Sequence, residues 1–388
     1  MSKADTWADA ALEQFRYVAD PLADEAMARV LERKGKEEAY RLFDLLIRNI
    51  GMPTAQLPAE VQPLLEATPA LPPFTDADAV ADAHRFFLDH GAKCLFLLYY
   101  KSLPLLYCMH KGTPVLARTS RLTNQDQSLR IFARRIAETG QFLIDVMTPG
   151  ELSLRGRGIQ SIQKVRLIHA AIRQFLLAEG WDEQRLGLPI NQEDMAMTLM
   201  TFSVAVLDGL EQFGIHEPQP LQEAYLQTWK GIGYNLGVAE ALLPDNVAEG
   251  RFLMNKILER QAAPSEEGRL LTRALIEFAQ DVLRNEKLAL APETIIRYLV
   301  GPERAAMLGI RPAGGCLTAI LPHAIQALFR LGERLEDKVD GPLDDVLAFL
   351  SRQTVKSMVG YFDTYKGRNF QIPQAMQEGW LTGQGREG

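Results

Sequence analysis

The sequence predicts an all-α protein, built as a single large helical domain, and three observations carry that prediction. Apolar residues recur at spacings of three and four along most of the 388-residue chain, and no convincing run of alternating apolar and polar residues marks a strand. Leu and Ala runs outnumber β-branched ones, and aromatics make up only 8% of the chain. Several periodic segments open on residues that suit helix N-termini.

Taken in order, the predicted helices cover about 23–50, 75–92, 94–110, 124–147, 159–179, 191–213, 219–240, 246–262, 265–284, 292–308, 314–334 and 343–362. Thr75 serves as an N-cap, followed by acids in the first turn and by Gly91 at the helix end. Asn191, with Asp194 three residues on and Pro189 just outside, opens another helix. Pro264-Ser-Glu-Glu267 and Pro292-Glu293 mark two more starts. The proline-bearing stretch from Gly51 to Pro73 is the longest irregular segment, and such connections also wrap single α domains. This divides the chain into an N-terminal helical extension with its proline-bearing connection (1–74), a main helical domain (75–381) and a small, polar, disordered tail (382–388).

Composition excludes several roles. Forty-nine acids against 42 bases give a net charge of −7, which argues against general affinity for nucleic acid or anionic membrane. The apolar run from Cys94 to Met109 is interrupted by Lys101 and Pro104 and falls short of the ~20 residues of a membrane span, so a buried core segment is expected rather than a transmembrane one. Cys94, Cys108 and Cys316 are an odd set without CxxC spacing, and the N-terminus lacks a secretory h-region, so a cytoplasmic chain with reduced thiols is expected. No P-loop, nucleophile elbow or HExxH occurs. None of the six histidines follows a Glu at i−3, and CxxCH is absent, which removes a di-iron bundle and a c-type haem.

One helix stands apart. In the segment around His169, the residues Ile162, Val165, Ile172 and Leu176 form an apolar stripe that His169 completes, with Arg166 and Arg173 on the same side. A core-facing imidazole flanked by two guanidiniums needs an anion nearby, either acidic side chains or an anionic ligand. Two readings stay open at this point. In one, His169 bonds a backbone carbonyl and the arginines pair with acids on a neighbouring helix. In the other, the imidazole ligates a haem iron and the arginines hold its propionates.

Two further segments accompany it. Met195, Leu199, Phe202, Val206 and Leu210 form an apolar face with Thr198 and Thr201 beside it, where plain packing with back-bonded threonines is the alternative to a cofactor wall. Upstream, Ile131, Arg135, Glu138 and Phe142 share a face that Thr139 adjoins. Gly140 there costs ~1 kcal/mol relative to Ala in a helix interior, which hints at a close approach by a flat ligand or another helix. Exposed salt-bridge residues are the alternative for this face.

Together, Glu138-Thr-Gly140, Arg166-Leu-Ile-His169-x-x-x-Arg173, Gly187-Leu-Pro-Ile-Asn-Gln-Glu-Asp194 with Thr198 and Phe202-Ser203, and the run Tyr225…Trp229-Lys-Gly-Ile-Gly233…Leu236-Gly237 resemble the rubber oxygenase and MpaB-like oxygenases, which include the latex clearing proteins. The resemblance is strongest over about residues 105–245. It implies a globin-like core with extra helices around a non-covalent haem b, with His169 as the iron ligand. It further implies Arg166, Arg173, Thr198 and, from a later helix, Arg304 as cofactor-binding residues, with Arg135, Glu138 and Thr139 as catalytic ones. The implied activity is a haem-dependent dioxygenase reaction that cleaves a carbon–carbon double bond of an isoprenoid or other unsaturated apolar molecule, with dioxygen as co-substrate.

Glu138 stands where latex clearing proteins place a Lys, and an acid on an apolar wall would have a raised pKa suited to proton transfer. The missing export signal argues for a small isoprenoid or unsaturated lipid over rubber. A haem or apolar-ligand carrier or sensor without turnover, and a haem-free helical interaction protein, are the competing classes. A homo-oligomer stays open.

Overall fold

The computed structural model describes residues 3–49, 51–122, 128–283 and 290–311. Among the described residues there is no strand, and a lone antiparallel bridge joins Met109 to Ala262. The helices run α1 (Asp9–Phe15), α2 (Pro21–Arg48), α3 (Gln62–Ala67), α4 (Ala77–Leu97), α5 (Leu103–Tyr107) and α6 (Thr113–Leu122). Next come α7 (Ser128–Met147), α8 (Arg157–Ala178), α9 (Glu183–Leu186), α10 (Gln192–Phe202) and α11 (Val204–Gln212). The chain continues with α12 (Gln219–Asn235), α13 (Val247–Gln261), α14 (Glu266–Leu283), α15 (Ala291–Val300) and α16 (Pro302–Met307). The expected helices 314–334 and 343–362, the tail from 382, Cys316 and His323 lie outside the described residues.

Asn191 caps α10 as its sequence context predicts, accepting from the Asp194 N–H at 3.0 Å. Other boundaries differ. Asp76, not Thr75, caps α4 by accepting from the Asp78 N–H, while Thr75 packs against Gly231 of α12. Gly91 does not end α4, because the ~1 kcal/mol penalty of an interior glycine is outweighed by burial of Cys94–Leu97 beyond it. The single predicted helix 191–213 breaks at Ser203 (φ −103°, ψ −91°), and 292–308 breaks at Gly301. The stretch before 124–147 holds a helix of its own, α6.

Between α4 and α5 the chain makes a π-helical turn, Leu98–Ser102. Pro104 lies in the first turn of α5, and the wider turn before it accommodates a residue that brings no backbone N–H. This turn buries Lys101, which is 5% exposed and donates to Gln212 Oε1 at 2.7 Å. Burial pushes the Lys101 ammonium down to about 8, against the opposing pull of Asp208 and Glu211.

Between pH 8 and 10 the unfolded chain therefore holds a proton on Lys101 that the folded chain gives up. Stability should rise with pH there by up to ~1.4 kcal/mol per unit. Above pH 10 the buried Tyr99, Tyr100 and Tyr107, all pushed upward by burial, reverse the slope. Urea unfolding of wild type and Lys101→Met across pH 7.5–10 isolates the lysine: wild type should gain stability relative to the variant as pH rises, and parallel curves would refute the shift.

Among the described residues the core gathers into two apolar clusters. One gathers Phe86, Leu97, Tyr100, Met200, Tyr225 and Trp229 around α4, α10 and α12. The other gathers Met27, Val30, Leu167, Ile172 and Phe175 between α2 and α8. α8 runs along their boundary, with Ile162 in the first cluster and Leu167–Leu176 in the second.

The N-terminal segment is built into this body rather than appended to it. Arg16, 1% exposed, donates to Glu193 Oε2 (3.1 Å), Asp194 Oδ1 (3.0 Å) and the Leu186 carbonyl. Glu193 Oε1 also accepts from Arg260, which reaches Glu13 with its other end. α2 bends at Gly35 (φ 84°, ψ 174°), a conformation outside helical space that glycine adopts readily. The proline-bearing connection is tied down by Gln163, which donates to the Leu65 and Thr68 carbonyls, and by Asn235, which donates to that of Ala70. A fully irregular stretch would leave such carbonyls to water.

Candidate functional site

α2 lies along α8 and brings its first turn to the histidine helix. Arg166 closes a two-bond fork on Asp20, with Nε to Oδ2 at 2.5 Å and Nη2 to Oδ1 at 2.7 Å, while Nη1 donates to the Asn235 carbonyl at 3.1 Å. Arg173, 1% exposed, donates from Nε to Asp24 Oδ1 at 2.7 Å and from Nη1 to the Ile190 carbonyl at 3.2 Å. Its Nη2 is buried with no hydrogen-bond partner among the described residues.

The same holds for His169 Nδ1, which is sealed from solvent and unpartnered within the described residues. Burial first, and the Arg173 charge second, push the His169 pKa down to about 4, against the pull of Asp20. The ring is therefore neutral near pH 7, which is the metal-ligating form of imidazole. Of the alternatives the sequence left open, the arginines have found acids on a neighbouring helix. The histidine has not found a backbone carbonyl for its Nδ1.

Ile190 contributes through its backbone. Its φ of +51° is a left-handed conformation that a β-branched residue rarely adopts, at a cost of ~1–3 kcal/mol. Its side chain packs against both apolar clusters, and its carbonyl faces Arg173.

α7 turns Arg135, Thr139 and Phe142 to one side. Arg135 donates to the Leu116 carbonyl (2.9 Å) and to Thr119 Oγ1 (2.8 Å), joining α7 to α6, and burial pushes its guanidinium pKa down. Thr139 Oγ1 donates to the Arg135 carbonyl at 2.8 Å. Phe142 meets the rings of Phe202 and Trp229 with centroids at 6.2 and 6.4 Å, so this side of α7 faces α10 and α12.

Glu138 does not stand on the apolar wall that its spacing predicts. It is exposed and pairs at 2.8 Å with Arg134, which also donates to the Ile47 carbonyl near the end of α2. Three residues along a helix rotate by about 300°, so Glu138 falls on the solvent side of the line that keeps Arg135 inside. The apolar wall expected around it is absent.

Thr198 donates to the Asp194 carbonyl (2.8 Å) and Thr201 to that of Thr198 (2.7 Å), the back-bonding alternative named for them, beside a face where Met195, Leu199, Phe202, Val206 and Leu210 are all buried. Arg304 on α16 makes a long contact of 3.5 Å to the Val300 carbonyl, and its own carbonyl accepts from the Cys108 thiol. No hydrogen bond or ion pair among the described residues joins Arg304 or Glu138 to the α8 group.

Asp20, Asp24 and Asn235 were not singled out by sequence, and Ile190 entered only as part of the Gly187–Asp194 run. The requirement that two core-facing guanidiniums have acids nearby is the signal that could have found the aspartates, Asp20 at the N-cap of α2 and Asp24 in its first turn.

A family model described as the catalytic domain of ER-bound oxygenase mpaB/B'/Rubber oxygenase matches residues 108–350. The chain is 24% identical over 299 residues to the rubber oxygenase of Streptomyces sp. (strain K30), an alignment covering 76% of this chain and 71% of that one. It superimposes on the structure of latex clearing protein LCP in the closed state with a TM-score of 0.71 at 23% identity, covering 89% of this chain and 91% of that one. The likeness bears out the all-α fold. No helix among the described residues is long and apolar enough to cross a membrane.

Proposed function

The chain belongs to the mpaB/rubber oxygenase catalytic-domain family, and from that premise we propose that it is a haem b-dependent oxygenase that cleaves a carbon–carbon double bond in an isoprenoid or other unsaturated apolar substrate. The observation that carries the proposal is the His169 imidazole, whose Nδ1 is buried and has no hydrogen-bond partner among the described residues. A buried polar atom without a partner is costly unless a ligand completes it. Arg173 Nη2, four residues along the same helix, is a second such atom and a suitable donor for a carboxylate. The residues present therefore fit a haem.

When bound, haem supplies the redox chemistry through which dioxygen adds to an alkene, and the protein supplies placement and shelter. His169 would hold the iron. Arg173 would offer Nη2 to a propionate. Arg166, with each guanidinium nitrogen already bonded to Asp20 or Asn235, fixes α8 against α2 in this scheme instead of binding ligand. Thr139 has committed its hydroxyl proton to the Arg135 carbonyl, so it offers lone pairs as an acceptor. Arg135 braces α6 on α7, and Phe142, Phe202 and Trp229 give the adjoining surface an apolar character that excludes water. Glu138, exposed beside Arg134, has no part in proton transfer in this scheme.

The test is spectroscopic. Full-length protein supplied with hemin should show a Soret band, His169→Ala should lose it, and added imidazole should restore part of it. Incubation of the loaded wild type with an unsaturated isoprenoid under air should then give aldehyde or ketone ends. Normal haem content and turnover in His169→Ala would sink the assignment. Haem binding without products would instead make the protein a carrier or sensor.

A further inference from the structure

Arg166 and Arg173 stand two turns apart on α8, and each meets an aspartate of α2, yet the two guanidiniums end differently. Asp20 closes both oxygens on Arg166, and Asn235 takes Nη1, so every nitrogen of that group has a partner. Asp24 gives Arg173 a single oxygen, at Nε. The other Asp24 oxygen accepts the Asp20 N–H at 3.2 Å, which anchors the carboxylate at the start of α2. Nη1 is taken by a carbonyl that Ile190 delivers from a left-handed backbone. A planar guanidinium held at Nε and Nη1 cannot rotate, so the direction of Nη2 is fixed. That nitrogen is buried and faces no acceptor among the described residues. An ion pair serving the fold alone is better closed as Asp20 closes on Arg166.

We infer that Asp24 is a positioning residue: with the Ile190 carbonyl, it holds the Arg173 guanidinium so that Nη2 is presented to a carboxylate of the ligand at His169. The inference rests on the haem reading above and extends it to α2, which lies outside residues 108–350. The site is then incomplete without the N-terminal segment, although the iron ligand and both arginines come from the matched region.

The test uses full-length apoprotein titrated with hemin and, separately, with hemin dimethyl ester, which has the same ring and iron but no free carboxylate. Asp24→Ala should weaken hemin binding about tenfold or more, in the range of losses seen when a residue that orients a ligand-holding group is removed, and should leave the ester unchanged. Asp24→Asn keeps an oxygen acceptor for Nε and should recover part of the loss. It also carries the test if the alanine variant does not fold. Equal weakening of hemin and ester, or no weakening of either, would overturn the inference while leaving the haem reading intact, provided His169→Ala still abolishes binding. Failure of the wild type to bind hemin would overturn both.

Discussion

Asp20→Ala should lower the unfolding free energy by about 3–5 kcal/mol, because it strands the Arg166 guanidinium in the core. Arg166 and Asp20 are both buried, and among the described residues the fork between them is the arginine's only contact with an acid. The aspartate also caps α2, accepting from the Ala23 N–H at 3.4 Å, and loss of a cap adds ~1 kcal/mol. Against a total of roughly 5–15 kcal/mol for an ordinary domain, this is a large fraction. Urea denaturation of the single variant, of Arg166→Met and of the double variant checks the cause. The double should be more stable than Asp20→Ala alone, since no buried charge is then left unpaired. A loss under ~1 kcal/mol for Asp20→Ala would mean that water reaches the arginine after all.

Gly237→Ala should be the second severe substitution, at about 2–4 kcal/mol, from backbone strain and displacement of the same ion pair. Gly237 has φ +85°, and a Cβ built there would overlap the Asp20 carboxylate and lie 2.9 Å from Arg166 Nε. The variant is expected to melt several degrees below wild type by circular dichroism. Combined with Asp20→Ala, its effect should shrink, because removal of the carboxylate makes room for the methyl group; full additivity would show that backbone strain alone is responsible. The glycine closing the Leu236-Gly237 pair thus records how closely the end of α12 approaches the ion pair behind His169.

The histidine helix was legible because its stripe is local: five positions within fifteen residues specify one face, and α8 buries Ile162, Ile172 and Leu176 on it. Asn191 was legible for the same reason, its cap being satisfied three residues away. Asp20 was not, since it lies 146 residues from Arg166 and nothing local distinguishes it among 49 acids. Glu138 was misplaced because the boundary between the inner and outer faces of α7 falls between it and Arg135, and spacing alone leaves that boundary open by about a third of a turn. The π turn at Leu98–Ser102 was hidden because its cause, accommodation of Pro104 within a buried helix, acts through packing rather than propensity.

The tie of α1 and the residue after it to α10 and α13 sets an order on biosynthesis. Arg16 must wait for Glu193, 177 residues later, and Glu13 for Arg260, 247 residues later. At roughly 5–20 residues per second, a ribosome needs about 10–50 s to supply that last partner. Asp20 and Asp24 find Arg166 and Arg173 after only 146 and 149 residues, so their half of the site can assemble while Glu13 still waits for Arg260, and α1 is the later of the two to lock.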